Sequence, residues 1–259
     1  MKEAFLVETA LLGQGLQDCD EKTLATAWQK RLPMDLSVLV WLWRGEIIMG
    51  GIEEFLSVRQ APAMGRYNRY TLAKAVSEGR SGFLTAGATM AVAAEVGKKL
   101  VVSCGIGGIT DKEVSSDYPA LCDLEITLLA TAVKDMFAVA PVLAYLHKRG
   151  VKVYGLGRAV ADGYLFVGEE VSLDGAIEGL SALPSDCRLV LRGIAPELRL
   201  RDRRLLRRAV AEGEAAQAAG GFFHPAVNAA LTRFSTGKTS LLQLHALLDN
   251  AREVWEMAN

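Results

Sequence analysis

The fold of this chain can be predicted from residues 100–157, which read "LVVSCGIGGITDKEVSSDYPALCDLEITLLATAVKDMFAVAPVLAYLHKRGVKVYGLG". Three short apolar segments, "LVVSC", "LEITLLAT" and "VKVYGLG", have the length and composition of buried strands. Between the last two, "DMFAVAPVLAYLHKRG" is predicted to be a helix, because basic residues and a glycine stand at its end. Strands that alternate with helices in this way indicate an α/β fold with a largely parallel sheet.

Further strands and helices are predicted on both sides of this stretch. A buried strand, "AFLVET", covers residues 4–9, and "DLSVLVWLWRGEIIMGG" (35–51) contains two strands joined by the turn "WRGE". After residue 195 the pattern is mainly helical, in the segments "APELRLRDRRLLRRAVAEGEAAQAAG", "HPAVNAALTRF" and "TSLLQLHALLDNAREVWEMA". We therefore expect one domain over residues 1–259, an α/β sandwich with a largely parallel central sheet flanked by helices and a helical C-terminal segment.

The composition is that of an ordinary globular protein, with 51% hydrophobic and 23% charged residues and a formal net charge of −1. There is no basic excess to favour nucleic acid or an anionic membrane. No apolar run approaches the ~18 residues of a membrane span, and the acidic N-terminus does not resemble a signal peptide. We predict a cytoplasmic protein. The basic run "RLRDRRLLRR" (199–208) is interpreted as a solvated helix face, with an anion or subunit contact as the alternative.

Several short motifs are incomplete or have a structural interpretation. In "GIGG" the dinucleotide pattern would need glycine at position 110, where Thr110 stands, although such a turn can still bind a phosphate. The P-loop-like "STGKTS" lacks glycine at Thr232 and follows a helical pattern, so we predict a helix N-cap there. The four cysteines form no CxxC pair, and His147, His224 and His245 are interpreted as structural or surface residues.

The segment between Glu113 and Lys134 leaves two interpretations open. Lys134 follows an apolar strand, and such a lysine either has a buried stem with an exposed head or is a desolvated amine that attacks a carbonyl-type carbon. Glu113 and Asp117 are four residues apart, and their carboxylates are either solvated or ligands of a hard cation such as Mg²⁺ or Mn²⁺.

The chain resembles the pseudouridine-5′-phosphate glycosidases, also called the indigoidine synthase A-like family. The resemblance is continuous from about residue 4 to residue 160 and weak over the helical tail. It rests on the order and spacing of several segments, including the interval of seventeen residues from an aspartate to a lysine. These segments are "VETALLGQGL" (7–16), "GFLTAGATMAVAAEVGKKLVVSCGIGGI" (82–109), "EVSSD" (113–117), "LLATAVKDM" (128–136) and "YLHKRGVKVYG" (145–155).

The resemblance implies an α/β homotrimer that depends on Mn²⁺ and reversibly splits pseudouridine 5′-phosphate into uracil and ribose 5-phosphate. By position, it implies that Lys134 is the nucleophile, that Glu8 is the proton donor and that Glu113 is a metal ligand. It also implies a set of substrate-binding residues, namely Arg66, Ala86, Ser115, Ser116, Asp117 and Gln243.

Four positions depart from the family pattern. Glu113 replaces an aspartate, Arg66 a lysine, Gln14 a histidine and Cys104 a glycine. Two further functions therefore remain as alternatives to cleavage of a C-nucleotide. The first is a synthase that joins ribose 5-phosphate to another aromatic or heterocyclic carbon. The second is a non-catalytic family member that binds a sugar phosphate.

Overall fold

The structure is a computed structural model that describes residues 5–110, 113–221 and 223–258. Strands are numbered in chain order: β1 Phe5–Val7, β2 Leu39–Trp43, β3 Glu46–Gly50, β4 Gly65–Tyr67, β5 Gly82–Leu84, β6 Leu100–Val102, β7 Gly105–Ile106, β8 Thr127–Ala130, β9 Ala132–Val133, β10 Lys152–Leu156, β11 Val160–Ala161, β12 Val171–Ser172, β13 Gly175–Ile177 and β14 Cys187–Leu191.

Helices occur between the strands and make up most of the C-terminal part. They are α1 Glu21–Gln29, α2 Ile52–Arg59, α3 Leu72–Ser77, α4 Ala86–Glu95, α5 Asp117–Asp123, α6 Val139–His147, α7 Arg203–Ala218, α8 Phe223–Phe234 and α9 Lys238–Ala258. A single π-helical turn covers Leu11–Gly15, directly after β1, and a short 3₁₀ turn covers Leu180–Ala182.

The main sheet has ten strands in the order β13-β10-β14-β8-β6-β1-β2-β5-β4, and β3 pairs with β2 beside this path. Every neighbouring pair from β13 to β2 is parallel. The antiparallel pairs in this sheet are those of β2 with β3 and β5. The prediction of a largely parallel central sheet is therefore confirmed.

The central strands of the sheet, such as β1 and β6, are buried on both faces, as their apolar sequences predict. Along β1, Phe5 and Val7 belong to one core and Leu6 to the other. The first core receives side chains from α1, α2, α7, α8 and α9, and the second from α3 to α6. This alternation follows from the two-residue period of a strand. The helical C-terminal segment thus packs against the same sheet as the rest of the chain.

Most predicted elements are present, with two differences in extent. The hairpin of β2 and β3 is confirmed, and its turn places Arg44 and Gly45 at positive φ. The helix predicted from residue 195 instead begins at Arg203, because Asp202 caps it and Leu200 pairs with Phe166 in an isolated bridge. The strand predicted over 4–9 covers Phe5–Val7, and Ala4 lies outside the described residues.

The P-loop-like segment "STGKTS" lies between α8 and α9. The Ser235 hydroxyl accepts a hydrogen bond of 3.1 Å from the Thr239 backbone N–H in the first turn of α9, so the segment joins two helices and contacts the start of the second. No helix within the described residues is both long and apolar enough to cross a membrane.

Candidate active site

Polar side chains follow three neighbouring parallel strands at the edge where those strands end. Glu8 follows β1, Ser103 follows β6 and Thr131 follows β8. The chain then continues from β6 and β8 into the short parallel pair of β7 and β9, and the Lys134 backbone N–H donates to the Ile106 carbonyl at 3.1 Å. Because the carboxyl ends of parallel strands share one edge, residues far apart in sequence meet there.

Glu8 is a buried carboxyl group with an altered acidity. Its side chain is 6% exposed, and its Oε1 accepts a hydrogen bond of 2.7 Å from the Ser103 hydroxyl. Burial raises the pKa of Glu8, and the Ser103 hydrogen bond and the charges of Lys134 and Arg66 oppose that rise in part. A carboxyl group with a raised pKa can hold a proton close to neutral pH and donate it during a reaction.

Lys134 is a buried amine next to this carboxyl group. Its side chain is 9% exposed, and burial together with the positive charge of Arg66 lowers its pKa to about 8, although Glu8 and Asp117 act in the opposite direction. With this pKa about a tenth of the amine is neutral at pH 7, compared with less than a thousandth for an ordinary lysine. Of the two interpretations left open by the sequence, the desolvated amine is the one that fits this environment.

One cavity brings several of the predicted residues together. Glu8, Arg66, Lys134 and Gln243 all line it, so strand ends, the edge strand β4 and helix α9 each contribute a side chain. The remaining lining residues are Leu11, Gly15, Cys104, Gly105 and Asn228. Gln243, which lies in the tail that resembles the family only weakly, therefore lines the same cavity as the other three residues.

Asp117 lies beside this cavity and is held by donors on two sides. Its Oδ1 accepts from the Gly87 N–H at 2.8 Å, and its Oδ2 accepts from the Ser115 hydroxyl at 3.1 Å and the Gly107 N–H at 3.4 Å. Its charge affects the pKa of both Glu8 and Lys134. Asp117 therefore joins the first turn of α4 to the glycine turn after β7.

Two other predicted substrate-binding residues lie around Asp117. Ala86 is the first residue of α4 and is buried. Ser116 is half-buried, and its hydroxyl and carbonyl oxygens lie close to Gly87, each 3.1 Å from where a Cβ on that glycine would be. Both residues are thus close to the Asp117 carboxylate rather than among the residues that line the cavity.

Glu113 is not brought into the cavity. It is exposed, and its backbone carbonyl accepts a hydrogen bond of 2.8 Å from the Thr110 N–H. Within residues 5–110, 113–221 and 223–258, no group of three or more His, Cys, Asp or Glu side chains could hold a metal ion. Mg²⁺ and ions like it usually keep several waters and bind one or two carboxylates, so Glu113 fits a hydrated ion but not a cage of protein ligands.

Four residues in or next to the site were not assigned to it from the sequence. Ser103 contacts Glu8, and Asn228 lines the cavity. His224, interpreted as a structural or surface residue, has its pKa lowered well below the ordinary range by burial, then by the charges of Lys134 and Arg66. In the sequence, Ser103 stands out as a hydroxyl residue directly after an apolar strand, and His224 and Asn228 as two polar residues four apart on α8.

The fourth residue, Tyr164, connects Cys104 to Gln243. The Cys104 Sγ and the Tyr164 hydroxyl are 2.9 Å apart, and that hydroxyl lies 3.4 Å from Gln243 Oε1. Burial raises the pKa of the Cys104 thiol to about 11, so this thiol is a hydrogen-bonding group and not a nucleophile at neutral pH. A Cβ on Gly105 would lie 2.6 Å from the Tyr164 ring, which explains why glycine is needed at that position.

The fold and the site together define an α/β protein with a buried amine and a buried carboxyl group at the carboxyl edge of a parallel sheet. The sequence profile of the family described as "Indigoidine synthase A like protein" matches residues 8–176. The chain belongs to this family.

Two curated relatives that match this chain have the same name. The chain is 26% identical over 161 residues to the pseudouridine-5′-phosphate glycosidase of Dinoroseobacter shibae, covering 58% of this chain and 52% of that protein. It is 33% identical over 97 residues to the protein of the same name from Mesorhizobium japonicum, covering 36% of this chain and 32% of the relative. The matched regions thus span about half or less of the relatives' length.

Solved structures show the same fold. An indigoidine synthase A-like protein from Thermotoga maritima superposes with a TM-score of 0.80 at 17% identity, over 99% of this chain and 92% of the other. A prealnumycin C-glycosynthase, solved in complex with ribulose 5-phosphate, gives a TM-score of 0.78 at 18% identity, over 98% and 90% of the two chains.

Proposed function

We propose that this protein is a lysine-dependent C-glycosidase that reversibly cleaves the C–C glycosidic bond of pseudouridine 5′-phosphate, or a close C-nucleotide, to the base and ribose 5-phosphate. The observation that carries the proposal is the cavity in which Lys134, with a lowered pKa, faces Glu8, with a raised pKa. The name shared by the curated relatives supports this choice of substrate.

The reaction begins at the Lys134 amine. The neutral nitrogen attacks C1′ of the sugar, the C1′–N bond forms and the bond between C1′ and the ring oxygen O4′ breaks. The proton lost by nitrogen is balanced by the proton gained by O4′. Burial favours this step, because it increases the fraction of neutral amine at physiological pH.

Glu8 then acts as the acid for the leaving group. Its carboxyl proton passes to the ring carbon of the base, the C1′–C bond breaks, and the nitrogen lone pair forms a C1′=N bond. Water adds to this imine, releases ribose 5-phosphate from Lys134 and returns a proton to Glu8. A carbon leaving group is poor without protonation, so the raised pKa of Glu8 is suited to this role.

The remaining predicted residues are proposed to hold the substrate. Arg66 lines the cavity and supplies a positive charge. Backbone N–H groups at Ala86 and in the glycine turn 105–108 are proposed to bind the 5′-phosphate, as backbone nests commonly do. Ser115, Ser116 and Asp117 are proposed to orient the sugar hydroxyls, and Gln243 is proposed to contact the substrate from α9. To bind a sugar hydroxyl, the Asp117 carboxylate must release one of the hydrogen-bond donors that it contacts in this structure.

We further propose that Mn²⁺ or a similar divalent ion binds through Glu113 with several waters, and that the enzyme is a cytoplasmic homotrimer. Such an ion would supply a positive charge that orients the sugar. Titration of Mn²⁺ into the wild type and Glu113→Gln, followed by electron paramagnetic resonance, tests the site: weaker binding in the variant is expected. Full turnover after exhaustive chelation would remove the ion from the proposal.

The synthase alternative is favoured by a specific pair of observations. A structural neighbour is named a C-glycosynthase and was solved with ribulose 5-phosphate, and Cys104 occupies a cavity position where the family has glycine. A synthase would use the same Lys134 and Glu8 in the reverse direction, so the two functions differ in the base that is accepted. The non-catalytic alternative predicts sugar-phosphate binding without a covalent adduct.

The decisive experiment is mass spectrometry of the protein after incubation with ribose 5-phosphate and borohydride. We expect a reduced adduct on Lys134 and none in Lys134→Ala. Lys152→Ala is a suitable control, because Lys152 is an exposed lysine paired with Asp186 on the edge of β10. An adduct that persists in Lys134→Ala would refute the assignment, and sugar-phosphate binding without any adduct would favour the non-catalytic alternative.

A further inference from the structure

Helix α8 brings two polar side chains to the site. Asn228 lines the cavity that contains Lys134, and its Nδ2 lies 3.3 Å from His224 Nε2, one helical turn earlier. The start of α8 is held next to the lysine, because the Phe223 ring packs edge-on against Phe137 with 6.3 Å between ring centroids. The Phe137 N–H in turn donates to the Lys134 carbonyl at 2.9 Å.

His224 contacts Asn228, which lines the cavity of Lys134, and the charges of Lys134 and Arg66 act on its imidazole. Burial has the largest effect on the pKa of His224, and the positive charges of Lys134 and Arg66 lower it further. The ring is therefore neutral at physiological pH and has one nitrogen with a free lone pair. Asn228 can face Nε2 with its amide nitrogen or, after a 180° turn, with its oxygen, and the second arrangement leaves Nδ1 as the proton acceptor.

The proposed reaction needs two separate proton transfers. Glu8 delivers a proton to the base carbon, but this occurs after the sugar ring has opened. Ring opening itself moves a proton from the Lys134 nitrogen to O4′, and Glu8 must keep its own proton during this step. A second group that accepts and returns a proton next to Lys134 is therefore required.

The other described groups whose charges act on Lys134 are poorly suited to this transfer. The Arg66 guanidinium has N–H donors but no acceptor atom. The Cys104 thiol has a pKa raised to about 11. Both oxygens of the Asp117 carboxylate accept hydrogen bonds from backbone or hydroxyl donors. His224 is neutral, and through its other ring nitrogen it contacts Asn228, a residue that lines the same cavity as Lys134.

We propose that His224 is a further catalytic residue, which accepts the proton from the Lys134 nitrogen at its Nδ1 and gives it to O4′ as the C1′–N bond forms and the C1′–O4′ bond breaks. The proposal rests on the proposed function, since it assigns one step of the same reaction. In the reverse direction His224 takes the proton back from the O4′ hydroxyl when the sugar ring closes.

The test is the rate at which ribose 5-phosphate forms the borohydride-trapped adduct, because that reaction includes ring opening but no transfer to a base. We expect His224→Gln to slow adduct formation by ~10²-fold, the usual contribution of general acid–base catalysis, while the yield after long incubation remains. His245→Gln should react like the wild type, since His245 is an exposed residue of α9 near Arg31. Added imidazole should restore the rate of His224→Ala, which a purely structural role would not allow.

A wild-type rate in His224→Gln would overturn the proposal, and so would a slow His224→Ala that imidazole does not accelerate. Absence of any adduct in the wild type would instead overturn the proposed function on which it rests. Glu8→Gln separates the two proton transfers, because it should lose bond cleavage and keep adduct formation.

Discussion

The Ser103 hydroxyl donates a hydrogen bond of 2.7 Å to Glu8 Oε1, across the ends of the neighbouring strands β6 and β1. The Ser103 carbonyl is held in turn, because it accepts a hydrogen bond of 2.9 Å from Asn250 Nδ2, and the same nitrogen lies 3.1 Å from Thr131 Oγ1. The proposed acid is thus positioned by the sheet and by helix α9 together.

Ser103→Ala should move the pH range of bond cleavage upwards. The hydroxyl stabilises the ionised form of Glu8 and so lowers its pKa. Without the hydroxyl, burial raises the pKa of Glu8 further. The protonated acid then persists to higher pH, and the alkaline limb of the cleavage profile should shift to higher pH. Ser172→Ala, at an exposed position on β12, is the control that should keep the wild-type profile. An unshifted limb in Ser103→Ala would mean that another group sets it.

Glu8→Gln should separate the two halves of the proposed reaction. The imine with free ribose 5-phosphate needs no proton on a base carbon, so the Lys134 adduct should still form. Cleavage and synthesis of the C–C bond should fall by ~10²-fold or more, the scale that a general acid commonly contributes. The measurement is adduct yield and turnover in the same preparation. Near-normal turnover would exclude Glu8 as the acid and direct attention to Asp117.

Lys134→Met should make the protein more stable at pH 7. The folded state lowers the pKa of this amine from 10.5 to about 8, so the unfolded chain binds the proton more tightly, and burial of Lys134 costs up to about 3 kcal/mol below pH 8. This cost disappears as the pH rises from about 8 to above 10.5.

Denaturant unfolding measures the difference between the two proteins. The free energy of unfolding of Lys134→Met should exceed that of the wild type at pH 7, and the excess should shrink as the pH approaches 10. A less stable variant at pH 7 would show that the attraction of the Lys134 amine to the charges of Glu8 and Asp117 outweighs its desolvation.

Sequence patterns predict most of the parallel part of the fold, because most strands there are short, largely buried apolar runs, but they do not predict β13, which has a single buried residue. They do not reveal β4, β5, β7 or β9, which are two or three residues long and rich in glycine or alanine. Such segments become strands through pairing with partners distant in sequence, as β5 does with β2 and β7 does with β9. The sequence predicts too early a start for α7 for a related reason, since Leu200 makes a tertiary bridge that its local sequence does not indicate.

Residues of the candidate site can be predicted from the sequence only within the segments that resemble the family. Lys134, Glu8 and Arg66 follow from aligned segments, and the structure places them in one cavity. His224 and Asn228 belong to the weakly matching helical tail, and Asn228 reaches the cavity of Lys134 through the packing of α8 in the first core. No local pattern encodes that approach, so a histidine in such a tail is indistinguishable from a surface residue until the fold is known.

Gly105→Ala should damage the site while leaving the fold intact. A Cβ at this position would lie 2.6 Å from the Tyr164 ring and 2.9 Å from Lys134 Cγ, both shorter than real Cβ contacts. The lysine stem or the tyrosine must therefore shift by several tenths of an ångström. Because a displacement approaching 1 Å in a reacting group can cost ~10²-fold, turnover should fall on that scale.

Gly179→Ala is the matched control, because a Cβ there would meet no atom within 4 Å and the backbone has an extended φ of −172°. Turnover and the trapped adduct should be measured for both variants, together with their thermal unfolding. Unchanged turnover in Gly105→Ala would show that the Lys134 stem can move without losing its reactive position. Equal losses in both variants would indicate a general effect on the fold, whereas a loss confined to Gly105→Ala supports the contact between Tyr164, Gly105 and Lys134 as the feature that aims the amine.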